Sequence, residues 1–348
     1  MCGISFYISS SSSLLLNDQL NKSLESIIHR GPDDSNVIIE GVGNHQVGLG
    51  HNRLSIIELS DLGKQPMKSS AGNVISYNGE IYNHGSLRKH LLTLGHVFIG
   101  SSDTEVILRL YDEFGTDSFS MLKGMFTFVI LDNQSEQLFV VRDTVGIKPI
   151  YLFQNNNEIY GSSEIRGLKA FTAVNTEIDK DDIYEFFNNG FLYEPSTGYR
   201  NIKKLMPGHY LEFNLKTGKQ ATYSFKRIQD FDDDNSLSDK INVAIESQQI
   251  ADVPLGIFFS GGADSSILAS KFKKSELFFA KYESDPSADI DLEYSSKIAK
   301  YLNKELKVAE LASDEDDVES LLQSIEFVAK NTEEPISDYT FWATYQLS

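Results

Sequence analysis

The chain has 348 residues, 41% apolar and 23% charged, an ordinary globular usage at a length that predicts about two domains rather than one core. Its 50 acidic and 31 basic residues leave a net charge of −19, which opposes a nucleic-acid partner, and no basic patch offsets it. No stretch nears the ~20 apolar residues that span a bilayer, the start MCGISFYISSSSSLLL lacks the parts of a secretory signal, and the single cysteine allows no internal disulfide, so the cytoplasm is expected.

In chain order, dense Val, Ile, Phe and Tyr bounded by Gly, Asn, Asp and Pro predict strands at Gly3–Ser9, Val37–Val42, Gln46–Leu59 and Val74–Asn83. Further strands are expected at Met125–Asp132, Gln137–Arg142, Pro149–Phe153 and His209–Asn214. Helical periodicity falls at Asp18–His29, Ser86–Leu94, Asp103–Phe114 and Lys180–Asn188, and the serine run Ser9–Ser13 reads as a loop. This first region, about 1–215, is strand-rich α+β. The polar stretch Lys216–Asn235, with its acidic cluster Asp230–Asp234, reads as a linker.

From 236 to 348 the rhythm changes. Helices at Leu237–Gln249, Asp264–Lys273 and Leu292–Leu302 alternate with apolar strands at Leu255–Phe259, Leu277–Tyr282 and Glu305–Ala309, which predicts a parallel sheet with helices on its faces.

Cys2 is the first residue with chemistry to offer. Both Cys2 and Gly3 are small, so an aminopeptidase can remove Met1 and leave a thiol and a free α-amine on one residue. An α-amine titrates near 7.7–8.0 and a thiol near 8.5, so the residue carries a nucleophile together with its own base. On position alone Cys2 is equally an ordinary residue of a chain terminus.

Other residues change that balance: His29-Arg30-Gly31-Pro32-Asp33, the run Gly50–Ile56, Tyr77–Asn83, Ser101–Glu105, Gly124–Phe128, Arg142–Pro149 and Ser163-Glu164-Ile165. With the opening MCGI, and in this order, they resemble the glutaminase domain of class II glutamine amidotransferases over about the first 215 residues. The resemblance implies the αββα sandwich of N-terminal-nucleophile hydrolases. It also implies that Cys2 attacks glutamine, that Arg53 pairs with the α-carboxylate, and that Glu80 and Asp103 hold the α-ammonium. Asn78 and the Gly79 N–H would form the oxyanion hole, with Leu54 and Ile57 beside the glutamine. Taken singly, Asn78-Gly79 also reads as a hairpin turn, and Arg53, Glu80 and Asp103 as solvated surface charges.

The second constellation is Pro254–Leu268, an apolar strand, the glycine-rich turn Ser260-Gly261-Gly262 and a helix carrying Asp264, Ser265 and Ser266. Backbone N–H groups and a helix N-terminus suit phosphate oxygens, and the Walker lysine is missing. The segment SGGADSS resembles the pyrophosphate loop of ATP pyrophosphatases. That resemblance implies a doubly wound α/β domain with ATP as substrate, Phe259 and Lys281 among its binding residues, and Asp264 as a candidate Mg²⁺ ligand.

Glutaminase followed by such a loop resembles the glutamine-hydrolysing asparagine synthetase family, as do Gly190–Leu211 and Glu334–Asp338. The implied reaction transfers ammonia from glutamine to ATP-activated aspartate. Ala263 departs from that family's usual leucine. The stop at Tyr345–Ser348, inside an expected helix, implies a truncated synthetase half, with its missing part on a separate polypeptide or lost. A homodimer follows from the resemblance alone. An amidotransferase for another carboxylate on a sugar or peptide, a stand-alone glutaminase and a non-catalytic subunit stay open.

Overall fold

Strand β1 (Gly3–Ser9) sets the plan of the first unit, because all of its residues are buried. Ile4, Phe6 and Ile8 point to one face and Tyr7 to the other, and a strand covered on both sides needs layers on both sides. The computed structural model describes residues 1–10, 14–155, 158–226, 236–272, 275–282, 286–311 and 318–337. Its chain divides into two compact units, Met1–Asp233 and Asp234–Ser348.

After β1 come α1 (Leu14–Ser26), β2 (Asp34–Val42), β3 (His45–Arg53), β4 (Met67–Lys68), β5 (Val74–Ile81), α2 (His84–Thr93) and α3 (Asp103–Phe114). Next are β6 (Gly124–Asp132), β7 (Gln137–Arg142), β8 (Tyr151–Asn155), β9 (Glu158–Ser162), α4 (Ile165–Leu168) and α5 (Lys180–Asn189). The unit closes with β10 (Ile202–Lys204), β11 (His209–Asn214) and β12 (Gln220–Ser224). These strands make two six-stranded sheets, ordered β10-β8-β9-β1-β3-β2 and β12-β11-β7-β6-β5-β4, with antiparallel pairs throughout.

Side-chain alternation divides the apolar residues among three cores. Ile4, Phe6, Leu49, Val129, Val140 and Phe213 fill the space between the sheets. Tyr77, Phe126 and Phe128 turn outward against Leu91 of α2 and Leu110 of α3. Tyr7 and Tyr160 face the other way, onto Leu20 of α1 and Leu168 of α4. The layers are therefore α, β, β, α, the sandwich implied by the resemblance.

Several sequence expectations are corrected. The run Gln46–Leu59 is not one strand: β3 ends at Arg53, whose guanidinium donates to the carbonyls of Glu58 and Ser60 and so folds the following residues into a loop. Asn78 and Gly79 lie inside β5 opposite Thr127 and Phe126, so the strand expected over Val74–Asn83 forms there and the alternative reading, a hairpin turn, does not. Helix α1 starts at Leu14 rather than Asp18, and His29 sits in a separate 3-10 turn, Ile28–Arg30. Strands β9 and β10 were not expected. Nor was β12, which pairs with β11 inside the stretch read as linker and carries the sheet past Leu215. By contrast α3 has its expected bounds: Ser102 Oγ caps the Glu105 N–H at 3.2 Å and Gly115, with φ 57°, closes it.

The second unit runs α6 (Leu237–Ser247), β13 (Gly256–Phe258), α7 (Ala263–Lys271), β14 (Glu276–Tyr282), α8 (Pro286–Tyr301), β15 (Leu306–Leu311) and α9 (Val318–Asn331). Its strands form a parallel sheet, β13-β14-β15, as the alternation predicts. Ile257, Phe259, Ala269, Leu277 and Ala299 make its core. The acidic cluster Asp230–Asp234, Ser11–Ser13, Asp338 and the terminal segment 341–348 lie outside the described residues. Among the described residues no helix is long and apolar enough to cross a membrane.

Candidate active site

Cys2 stands at the mouth of β1, and backbone groups hold it. The Leu54 N–H points at Sγ from 3.4 Å, and the thiol lies 3.7 Å from the Leu54 carbonyl. Arg30 Nε donates to the Cys2 carbonyl at 3.0 Å, and Arg30 Nη1 pairs with Glu164 at 2.9 Å. Glu164 also accepts from His29 and pairs with Arg166. This chain of contacts gives the motifs His29–Asp33 and Ser163–Ile165 one shared task, which is to anchor the backbone of Cys2. Asp33 contributes separately, accepting the Ser55 N–H at 2.7 Å and so fixing the loop that carries Leu54 and Ile57. The roles of Arg30 and Glu164 were missed in the sequence because their contacts join residues 134 apart.

Burial pushes the Cys2 thiol up, and the Leu54 N–H and the positive N-terminus oppose that rise. Burial also lowers the α-amine of Met1, which occupies the chain terminus here. Two carboxylates, Glu80 and Asp103, act on the thiol in the opposite sense to the amine. Asp103 opens α3, fully buried, with Oδ2 accepting from the Tyr77 hydroxyl at 2.7 Å and the Ile81 N–H at 3.1 Å. Burial first, and Asp103 second, push Glu80 up to about 8. Among the described residues neither carboxylate forms an ion pair within 4 Å, and Glu80 keeps its proton up to about 8 beside Asp103.

Asn78 is completely buried, and among the described residues neither its Nδ2 nor its Oδ1 has a partner. An orphaned amide in a protein interior costs on the order of 1–3 kcal/mol, and it persists where a ligand supplies the missing bond. Gly79 has a packing explanation: a Cβ there would lie 2.2 Å from the Met125 carbonyl oxygen on β6. His51 bridges the sheets, with Nε2 3.0 Å from the Tyr77 carbonyl, and burial lowers it to about 4, so it stays neutral. Arg53, also buried, reaches the loop carbonyls already described. The same side chain thus shapes the loop that would close one side of a ligand.

Lys148 comes to this site from the segment Arg142–Pro149. Asp143, fully buried, accepts the N–H groups of Val145, Ile147 and Lys148 at 3.0–3.1 Å. Arg142 Nε and Thr127 Oγ1 both donate to the Lys148 carbonyl, at 3.0 and 2.9 Å. The resulting turn points the Lys148 ammonium at Met1 Sδ, 2.9 Å away.

In the second unit β13 feeds the turn Ser260-Gly261-Gly262, and α7 begins at Ala263 with Asp264 in its first turn. Ser265 Oγ lies 3.3 Å from Ser260 Oγ and 3.2 Å from the Gly262 carbonyl, so these hydroxyls cover the turn themselves. Gly261 needs φ +72° and abuts Ser295, whereas a Cβ on Gly262 would meet only Ser260 Oγ, at 3.4 Å. Space inside the protein therefore does not explain the second glycine. Ser266 Oγ is buried and unpaired. Phe259 buries its ring in the sheet core, and Lys281 pairs with Asp289 at 2.8 Å. Among the described residues no three His, Cys, Asp or Glu side chains form a metal cage. Asp264 alone fits Mg²⁺ only in the usual manner of one carboxylate shared with substrate phosphates.

The family profile of the glutamine amidotransferase domain matches residues 1–224, and that of asparagine synthase matches 236–348. A putative glutamine-hydrolysing asparagine synthetase of Methanocaldococcus jannaschii is 31% identical over 386 aligned positions, covering 100% of this chain and 71% of its own length. Another, from Bacillus subtilis, is 35% identical over 288 positions, 79% of this chain but 46% of its own length, so the chain spans less than half of that relative. In fold the chain is similar to a solved allosteric regulatory enzyme of purine biosynthesis, at TM-score 0.50 and 15% identity over 89% of this chain and 80% of that one. On this match, over its full length and with both profiles in order, the chain belongs to the glutamine-hydrolysing asparagine synthetase family.

Proposed function

We propose that the chain hydrolyses glutamine at Cys2 and serves asparagine synthesis, its second unit contributing the loop that binds ATP. The observation that supports this best is Asn78: among the described residues a buried amide with no partner, one strand position from Gly79 and two from Glu80, whose carboxyl acts on the Cys2 thiol.

Glutamine would enter with its α-carboxylate on Arg53 and its α-ammonium between Glu80 and Asp103. Leu54 and Ile57 would flank it. The Cys2 sulfur would then attack the side-chain amide carbon while the thiol proton moves to the α-amine of Cys2. Asn78 Nδ2 and the Gly79 N–H would hold the oxyanion, each donor worth roughly 2.7–4 kcal/mol in comparable acyl transfers. Collapse of the intermediate passes the proton to departing ammonia and leaves a thioester, which water cleaves to glutamate.

In the second unit the SGGADSS turn would hold the phosphates of ATP, with Mg²⁺ shared between them and Asp264, and Lys281 close by. The β-carboxylate of aspartate would displace pyrophosphate from the α-phosphorus. Ammonia would displace AMP from that intermediate and give asparagine. A homodimer belongs to this reading, as it does to the resemblance.

The test is direct. Protein freed of Met1 should release glutamate from glutamine, and Cys2→Ala should lower that rate at least about a thousandfold while leaving the melting temperature unchanged. Wild-type rates in the Cys2→Ala protein would remove Cys2 from the reaction.

A further inference from the structure

Lys148 is 3% exposed, and among the described residues its ammonium forms no ion pair within 4 Å. Its one hydrogen-bond partner there is the Met1 thioether, a weak acceptor for a buried cation. A buried ammonium without an ion pair is costly, so its charge depends on the anions near it. The carbonyl and amide of Lys148 are tied to Arg142, Thr127 and Asp143, so the side chain is aimed by its backbone and not left to rotate.

The geometry brackets one residue between two cations. Arg30 donates to the Cys2 carbonyl on one side, and Lys148 reaches the Met1 side chain on the other. Removal of Met1 takes away the thioether, while the ammonium already interacts electrostatically with the Cys2 thiol and with the chain terminus. We infer that Lys148 is a charge-setting residue of the glutaminase site, which favours the Cys2 thiolate and keeps the α-amine of Cys2 uncharged. The inference rests on Cys2 as nucleophile.

The charges around these groups agree with that role. Burial and Arg30 lower the Lys148 ammonium, whereas Glu80, Cys2 and Asp143 favour its charged form. The amino terminus feels Arg30 and Lys148, which lower it together with burial, and Cys2 and Glu80, which raise it. The thiol itself is raised by burial, Glu80 and Asp103, and lowered by the Leu54 N–H and the positive terminus. Once the amine is uncharged and working as a base, it no longer assists the thiolate. Lys148 is then the lysine left to offset Glu80 and Asp103.

Because Cys2 is the chain's sole cysteine, alkylation by iodoacetamide reads its ionisation without an activity assay. Protein shown by intact mass to lack Met1 would be alkylated across pH 5.5–10 as wild type, Lys148→Met and Lys148→Arg, with glutamate release followed in parallel. The Met variant should react about tenfold more slowly at pH 7, its midpoint displaced upward by about one pH unit, while Arg stays near wild type. Lys148→Gln gives a second uncharged variant should Met fail to fold. An unchanged midpoint in a folded uncharged variant, or a displacement as large with Arg as with Met, overturns the inference. Failure of the nucleophile reading is separate, because it appears as glutamate release that survives Cys2→Ala.

Discussion

The two units build their candidate sites in different ways. In the first, the candidate groups sit on strand ends and strand interiors: Arg53 closes β3, Asn78 and Glu80 lie in β5, and Asp103 begins α3. Their neighbours are the buried apolar layers, so desolvation dominates and drives Glu80 to about 8. In the second, the groups sit on one turn at the head of one helix, and Ser260, Gly262 and Asp264 are exposed. Backbone N–H groups and the helix end supply the attraction there, with little burial. A site that must position an amide over a sulfur needs rigid, buried walls, whereas a site that receives highly charged phosphates can stay open until they arrive.

The sharpest way to break this comparison is Asn78→Ala. If the buried amide is kept for an oxyanion, kcat for glutamine hydrolysis should fall about 10²–10³-fold with KM little changed, as for other single donors of this kind. Stability should hold or rise, because an orphaned amide has been removed. A loss of stability with normal kcat would make Asn78 a structural residue.

The glycines offer the next test. Gly79→Ala should cost about 1–3 kcal/mol of stability, since its Cβ would collide with the Met125 carbonyl. Gly262→Ala should cost no more than about 1 kcal/mol, the penalty of alanine at a helix N-cap, yet weaken ATP binding about tenfold. Thermal melts and nucleotide titration by calorimetry check both. Equal losses of stability would show that the second glycine, too, is there for packing.

The smallest expected effect concerns pH. Glu80 takes up a proton below about 8 in the free protein, and a bound α-ammonium favours its ionised form. Glutamine binding to the Cys2→Ala protein should therefore weaken as pH falls from about 8 toward 6, by at most about tenfold per pH unit, with release of a proton on binding. For folding the sign is opposite. The unfolded carboxyl ionises from about 4.5 upward, so this residue lowers stability as pH rises through that range to about 8. Calorimetry in buffers of different ionisation heat measures the proton, and Glu80→Gln should flatten the profile.

Much of the architecture was legible in advance because its signals are local. Strand β1, helix α3 and the strand–turn–helix around Ser260 follow from periodicity, a serine cap and glycines, all within a dozen residues. Elsewhere a side-chain contact or a strand edge, not periodicity, decided the outcome. The chain leaves β3 at Arg53 because loop carbonyls capture the guanidinium, and polar Gln220–Ser224 becomes a strand because β11 offers it an edge. Asn78-Gly79 has turn chemistry by composition, yet the strand expected over Val74–Asn83 holds there because β6 pairs with it.

The sequence by itself determined the candidate nucleophile, the order of motifs, the parallel second unit and the family those motifs resemble. Only the tertiary structure decided that Arg30 and Glu164 anchor Cys2, that Asn78 is left unpaired, that Glu80 and Asp103 share one uncompensated site, and that Lys148 is buried among them. Burial and charge pairing depend on which residues share a volume. Distance along the chain carries no record of that once the contacts span more than a hundred residues.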